Sequence, residues 1–182
     1  MAGLTDPSVT AEERIAAAKA LGTSKDPLAV ETLIRGLGTT DEALTRAVVE
    51  ALVAQKAAPV LAKRLADANT VETRKVQACL GLRHLKDPTC VPTLAAALKD
   101  ESALVRREVA LALTVIGPAP AEGELLAALS DSDGDVRYGV AEALGEVKSG
   151  RAKQALEAQL AKETNPTVRF ALEGAVRRCA SA

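Results

Sequence analysis

The sequence DSDGDVRYGVAEALGEV at residues 131–147 decides the fold. Counting from Val136, apolar residues recur four, seven, eight and eleven positions later, a spacing that places them on one face of an α-helix. The same spacing fits from Val105, 31 positions earlier, and from Val168, 32 positions later. A helical unit repeated at this period predicts a stacked solenoid.

The start of this stretch also resembles a calcium-binding loop. Carboxylates stand at loop positions 1, 3, 5 and 12, occupied by Asp131, Asp133, Asp135 and Glu142. The sharp turn of such a loop needs Gly at position 6, where this sequence has Val136. The corresponding segments at 100 and 163 lack the ligands. We therefore predict a turn between two helices and no metal site.

The composition limits the possible functions. Of the 182 residues, 48% are hydrophobic but only 1% are aromatic, which predicts a core of Leu, Val and Ala in closely packed helices. The net charge of −1 gives no global field for nucleic acid or a membrane. The sequence shows no signal peptide and no membrane-spanning run, which predicts a cytoplasmic protein. Cys79, Cys90 and Cys179 have neither disulfide-framework nor zinc-site spacing.

The repeats predict one domain, 1–182, of five helix pairs preceded by half a repeat. The half repeat is 4–22, and the pairs are 26–54, 57–85, 88–117, 120–147 and 150–180. The second helices are predicted to start near residues 41, 70, 102, 133 and 165. Gly22, Gly117 and Gly145 are predicted to end helices. In the least regular copy, the pattern can be anchored at Thr73 or at Val71.

The repeated string, an acidic residue followed by four residues, Val-Arg and an Ala- and Leu-rich helix, resembles the HEAT repeat. Within that group it is similar to the short bacterial HEAT-like repeats of phycobilisome lyases. The resemblance implies an all-α superhelix in which a turn carboxylate pairs with a basic residue six positions on. The matching pairs are Asp100 with Arg106, Asp131 with Arg137, and Glu163 with Arg169. The N-terminal half departs from this pattern, since Thr45 stands where Arg is expected.

Motifs for catalysis are weak. GEVKSGRA at 145–152 has the glycines of a phosphate loop, but Arg151 and Ala152 replace its Lys and Ser or Thr. His84 is the only histidine, so the His and carboxylate ligands of the HEAT-repeat hydroxylases are missing. Cys79 lies five residues before His84, off the spacing that would place them on one helical face. We therefore predict no enzyme activity, cofactor or metal.

The remaining signal is a column of residues, each two positions after an anchor in a second helix. It consists of Ile15, Arg46, Lys75, Arg107, Tyr138 and Phe170. The resemblance to HEAT solenoids implies that these helices line the concave surface. Both aromatic residues of the chain lie in this column beside basic residues, which favours a partner segment that is apolar at one end and acidic at the other. The alternative is a solvated basic face, with Phe170 packed in the end repeat.

The prediction from sequence is a protein–protein interaction scaffold without catalysis. The partner-binding residues would be Arg46, Lys75, Arg107, Tyr138 and Phe170. The partner is expected to be another protein, with no membrane, and self-association through exposed end repeats stays open. The first alternative is a lyase or lyase subunit like the HEAT-like bilin lyases, which would need a nucleophile or a chromophore pocket. Nucleic-acid binding is less favoured because the charge balance is acidic.

Overall fold

The computed structural model describes residues 4, 6, 8–37 and 40–180. The other positions of the predicted domain, namely 1–3, 5, 7, 38, 39, 181 and 182, lie outside the described residues. The described part contains eleven α-helices, two short 3-10 helices at Pro88–Cys90 and Ala119–Ala121, and no strand. The helices are α1 Ala11–Gly22, α2 Ala29–Gly36, α3 Glu42–Ala54, α4 Ala57–Ala66, α5 Glu72–Leu85, α6 Val91–Ala97, α7 Ala103–Ile116, α8 Glu122–Ala128, α9 Gly134–Val147, α10 Gly150–Leu160 and α11 Pro166–Ala180.

The chain is an all-α solenoid, as the periodicity predicts. Helix α1 is followed by the pairs α2/α3, α4/α5, α6/α7, α8/α9 and α10/α11. Second helices stack on one another, so that α7 packs between α5 and α9, and α9 packs against α11. The core is one continuous cluster of Leu, Val and Ala side chains that runs through all the repeats. The division into repeats stays a prediction, although the second helices begin within two residues of the expected starts.

Side chains of the turns start the second helices. Asp41, Ser102 and Asp133 are N-caps whose oxygens accept hydrogen bonds from backbone N–H groups of the first helical turn. Asn165 does the same for α11, accepting from the N–H of Thr167 at 2.9 Å. These bonds satisfy donors that have no partner within the helix. The polar turn residues therefore fix where each second helix begins.

The least regular copy is anchored at neither Thr73 nor Val71. Arg74 is the third residue of α5, as Val105 and Val136 are of α7 and α9. From Arg74, Ala78 falls on the buried stripe four positions later. The periodicity failed here because the anchor position carries a charged and exposed residue, which an apolar pattern does not detect.

The predicted helix end at Gly145 is also wrong. Gly145 is buried inside α9, which ends at Val147, and Lys148 follows in the left-handed region with a φ of 55°. A Cβ at Gly145 would lie 2.5 Å from the guanidinium of Arg178 on α11. Gly145 therefore lies within the helix and leaves room for the guanidinium of Arg178 beside it.

Residues that precede α1 pack on the first helices. Leu4 is buried, and its side chain lies beside Gly36 and so covers part of α2. The guanidinium of Arg14 donates to the backbone oxygen of Asp6 at 3.3 Å.

Within the described residues, no helix is long and apolar enough to cross a membrane.

Candidate functional site

Arginines at the starts of second helices join neighbouring repeats. In α7, Nη1 of Arg106 donates to the backbone oxygens of Asp100 and Glu101 in its own turn. Its Nε and Nη2 donate to the carboxylate of Asp131 in the next repeat, at 2.7 and 2.8 Å. The pairing inferred from the resemblance, Asp100 with Arg106, therefore forms through a backbone carbonyl, and the carboxylate partner comes from the following repeat.

Ion pairs on both sides extend this connection, and we call the pairs Lys75–Asp100, Arg106–Asp131 and Arg137–Glu163 the ladder. Arg137 bonds through Nε and Nη2 to the carboxylate of Glu163 at 2.7 and 2.9 Å, and through Nη1 to the oxygen of Asp131 at 2.8 Å. Lys75 makes the preceding rung, with its Nζ 2.7 Å from the carboxylate of Asp100. Charge-assisted and bidentate bonds are stronger than neutral ones, so the ladder fixes the spacing of the repeats.

Two acidic side chains of the ladder, Glu163 and Asp131, are held ionised. The hydrogen bonds from Arg137 lower the pKa of Glu163 to about 2, although burial alone would raise it. Burial also raises the pKa of Asp131, but bonds from Arg106 and from the backbone N–H of Asp133 outweigh this and lower it. Both carboxylates are already satisfied by these donors. The ladder is therefore a structural element and not a free anion or cation site.

The exposed side of the second helices forms the candidate site. With Arg74 as the anchor of α5, the column two positions after each anchor contains Val76, Arg107, Tyr138 and Phe170. One helical turn further on lie Leu80, Leu111 and Glu142. We name Val76, Leu80, Arg107, Leu111 and Tyr138 the second-helix surface; all five are half-buried.

The structure divides the five partner-binding residues predicted from sequence. Tyr138 packs on the core, and a Cβ at its neighbour Gly139 would lie 3.9 Å from Leu111, so α7 and α9 adjoin there. Arg107 is 43% exposed at its side chain, and Arg46 is exposed two repeats away. Lys75 does not belong to this surface, because it is 8% exposed and part of the ladder. Phe170 is 70% exposed at the far end, on α11.

None of the thiols is suited to act as a nucleophile. Cys79 is buried, and its burial together with the nearby Glu108 raises the pKa to about 12. Burial likewise raises the pKa of Cys90 and Cys179 above the ordinary value. The nucleophile is the thiolate, which such thiols do not form near neutral pH. Burial lowers the pKa of His84, and the positive charges of Arg83 and Lys86 lower it further. The imidazole is therefore neutral near neutral pH.

A cleft of about 500 Å³ lies on the ladder side, between α4 and α6. Its walls are mostly small apolar residues, and the ion pair of Lys75 and Asp100 lies at its edge. In the two following rungs an Arg occupies the position of Lys75, and the larger guanidinium reaches the turn carbonyls. Clefts of about 290 and 350 Å³ also adjoin the following rungs, so the space beside Lys75 is larger than those beside the arginines.

Stacked helix pairs, repeat-joining arginines and a continuous exposed side of second helices define an α-solenoid of the HEAT type. A family model of HEAT repeats matches residues 2–78, 58–122 and 116–177. The chain belongs to the HEAT-repeat family.

Two of the similar proteins are enzymes of one kind. A deoxyhypusine hydroxylase of Aspergillus clavatus is 38% identical over 96 residues, a match that covers 48% of this chain and 29% of that protein. The chain thus spans less than a third of this relative. The structure of human deoxyhypusine hydroxylase is 23% identical, with a TM-score of 0.60, over 98% of this chain and 72% of that one.

A third similar protein is a lyase. The structure of the complex of CpcE and CpcF of phycocyanin lyase from Nostoc sp. is 24% identical, with a TM-score of 0.64. The match covers 82% of this chain and 99% of that chain. At this identity the likeness shows the fold alone. In the structure of CpcE and CpcF, a protein of this fold is bound to another protein.

These comparisons contradict the prediction of a non-catalytic scaffold that is not an enzyme, because the matched proteins are a hydroxylase and a lyase. Residues that define a repeat specify packing, whereas chemistry depends on a few side chains placed on the fold. A search for catalytic motifs therefore does not find a site that the repeats only position.

The residues do not fit the hydroxylase as a metal enzyme. No group of three or more His, Cys, Asp or Glu that could hold a metal ion occurs in the part of the chain that the structure describes. His84, the one histidine, has Arg83 and Lys86 beside it, and their charges oppose a cation. We therefore derive no step through a metal in this chain.

Proposed function

We propose that the chain is a subunit of a lyase-type enzyme and that its second-helix surface binds an open-chain tetrapyrrole. The extent of the match supports the lyase more than the hydroxylase. The structural likeness spans 99% of the phycocyanin lyase chain and 72% of the hydroxylase chain, while it covers 82% and 98% of this chain, respectively. The required side chains also favour the lyase, since the ligands of the hydroxylases are missing.

The observation that carries this proposal is the chemistry of the second-helix surface. Val76, Leu80, Leu111 and Tyr138 give an apolar strip across three consecutive repeats, and none of them is fully buried by the fold. An open-chain tetrapyrrole has flat apolar rings and two propionate carboxylates. The rings lie on the strip, and one propionate pairs with Arg107. The guanidinium of Arg107 makes only a long ion pair within the chain, with its Nη1 3.8 Å from the carboxylate of Glu108.

The chain binds and orients the tetrapyrrole without forming a bond to it. The raised pKa values of Cys79, Cys90 and Cys179 leave no thiolate for covalent attachment near neutral pH. Phycocyanin lyase is a complex of two proteins, CpcE and CpcF. We infer that this chain also acts with a protein partner, and that the active centre is completed in that complex.

The test is an absorbance titration of the purified chain with biliverdin as the probe. We expect a saturable shift of the visible absorption bands, with a dissociation constant of roughly 1 to 100 µM, the range of modest pocket binding. The colour should leave the protein on denaturation, as binding is non-covalent. Leu111→Glu should weaken binding because it places a carboxylate against the rings, while Val60→Glu on the exposed side of α4 should not. A spectrum that stays unchanged at millimolar protein would overturn the proposal.

A further inference from the structure

The last second helix departs from the others on the side where a following repeat would stack. Five positions after the anchor, the first five second helices carry an apolar residue, in order Ala18, Val49, Cys79, Ala110 and Ala141. Four of these are buried, and Val49 is half-buried. In α11 the same position is Glu173. Stacking another such repeat on α11 would bury this carboxylate, which is costly without a partner.

The same side of α11 carries an exposed aromatic ring beside a glycine. Phe170 is 70% exposed, more than any other large apolar residue of the described chain. Gly174 lies one turn further on, in the middle of the helix, where Gly costs about 1 kcal/mol relative to Ala. A Cβ there would meet only the side-chain ends of Arg178 and Arg177, at 3.6 and 3.9 Å. Packing within the described chain therefore does not require this glycine, whereas a close approach from outside would use it.

Two opposite charges flank the ring. Nη1 of Arg169 is held by the backbone oxygens of Glu163 and Leu160, at 2.9 and 3.0 Å. Arg106 and Arg137 each hold a carboxylate of the next repeat as well, but no described carboxylate contacts Arg169. Glu173, four residues on, has no ion pair with any described residue either. The helix thus presents a cation, a ring and an anion within one turn.

We propose that α11 packs against α11 of a second copy of this chain, antiparallel across a two-fold axis. Arg169 of each copy then bonds the Glu173 of the other, and Phe170 of each covers Gly174 of the other. A two-fold contact uses the same patch on both copies, so the patch must be self-complementary, as opposite charges one helical turn apart are. This inference is independent of tetrapyrrole binding.

The contact is small, since it involves one helix from each copy. Interfaces below about 1,200 Å² are typical of weak complexes. We therefore expect a dimer that dissociates in the micromolar range. The second-helix surface of α5, α7 and α9 remains open in such a dimer.

Sedimentation equilibrium of the intact chain, from micromolar to submillimolar concentration, tests this inference. We expect a monomer–dimer equilibrium for the natural sequence and monomers for Phe170→Asp. Arg169→Glu alone and Glu173→Arg alone should each be monomeric, because each puts like charges opposite one another. An equal mixture of these two variants should dimerise again, since each copy then offers the charge that the other needs.

Controls separate the interface from the fold and from the proposed function. Glu157→Arg, on the exposed side of α10, should leave the dimer unchanged, as should Tyr138→Ala. Circular dichroism checks that each variant is folded; if Arg169→Glu is not, Phe170→Asp and Glu173→Arg carry the test alone. A natural chain that is monomeric throughout, a dimer insensitive to these substitutions, or a mixture that stays monomeric overturns the inference. The inference is also overturned if the natural chain is monomeric and substitutions in α11 abolish its binding to a different protein.

Discussion

At the scale of the residue, each arginine of the ladder joins two repeats because its guanidinium has two edges. One nitrogen of Arg106 holds the carbonyls of its own turn, and the opposite edge takes the carboxylate of the next repeat. An ammonium group lacks this geometry. At Lys75 the carboxylate of Asp100 is bonded, but the turn before α5 receives no such donor from the side chain.

Replacing Lys75→Arg should therefore stabilise the protein. The guanidinium can donate to the backbone oxygens of Asn69 and Thr70, which correspond to those bonded by Arg106, and the adjoining cleft gives it room. We expect a gain of about 1 kcal/mol in the free energy of unfolding, measured by urea denaturation. Lys75→Met should lower it, since Asp100 then loses its cation. A less stable Lys75→Arg protein would contradict the proposed role of the two edges.

The rung at Glu163 predicts a dependence of stability on pH. The pKa of Glu163 in the folded protein, about 2, is below its ordinary value of 4.5. The carboxylate therefore contributes stability that is complete above the ordinary value and is lost as the pH falls towards 2. Between about pH 5 and pH 2 the free energy of unfolding should fall less steeply in Glu163→Gln than in the natural protein. Equal slopes in urea titrations of the two proteins would show that the Arg137 pair is not formed in solution.

At the scale of the element, three second helices are followed by a lysine in the left-handed conformation. Lys56, Lys86 and Lys148 have φ values of 50°, 53° and 55°. A residue with a Cβ is strained there, whereas glycine is not. Gly117, with a φ of 123°, is the one glycine among the described residues at positive φ.

Lys86→Gly should raise the midpoint of thermal unfolding. Removing the strain gains about 1 kcal/mol, partly offset by the greater freedom of glycine in the unfolded chain. The matched control is Lys63→Gly, inside α4, which should destabilise by about 1 kcal/mol because glycine is a poor helix former. If both substitutions lower the midpoint equally, the left-handed cap does not exist in solution.

The elements also show what the sequence can and cannot predict. The anchors Val105, Val136 and Val168 are apolar, so periodicity located their helices within two residues. The anchor of α5 is the charged residue Arg74, which an apolar pattern does not detect. The sequence therefore places Lys75 on the second-helix surface, whereas the structure places it in the ladder. Burial depends on neighbours that a sequence does not show: Tyr138 packs on the core between stacked helices, while Phe170, in the same column, is exposed.

At the scale of the whole molecule, the ladder begins at α5 and has no rung among the described residues before it. Its rungs join α5 to α11, and Thr45 gives α3 no equivalent. Val53, in the last turn of α3, has 60% of its surface exposed. A solenoid is stabilised mainly by contacts between neighbouring repeats. We therefore expect the repeats before α5 to be held less firmly than those after it, with α3 joined to the end of α1 through bonds from Gln55 to the backbone oxygens of Leu21 and Ser24.

Hydrogen exchange should reveal this difference. Amides of α1 and α3 should exchange before those of α7 and α9 when exchange is followed by mass spectrometry of peptides, since local opening follows local stability. Adding low concentrations of urea should widen the difference. Uniform exchange along the chain, or slower exchange in α1 and α3, would contradict the predicted gradient of stability.

The affinity for biliverdin of Tyr138→Ala, compared with that of Val60→Ala, tests most directly whether the second-helix surface binds the tetrapyrrole. Tyr138 contributes the aromatic face of the strip, whereas Val60 is exposed on α4. We predict that Tyr138→Ala weakens binding at least tenfold, about 1.4 kcal/mol, and that Val60→Ala binds like the natural protein. The thermal midpoints of the variants show whether they remain folded. Tyr138→Ala that binds with natural affinity, or that loses binding only because it unfolds, would contradict the assignment of this surface.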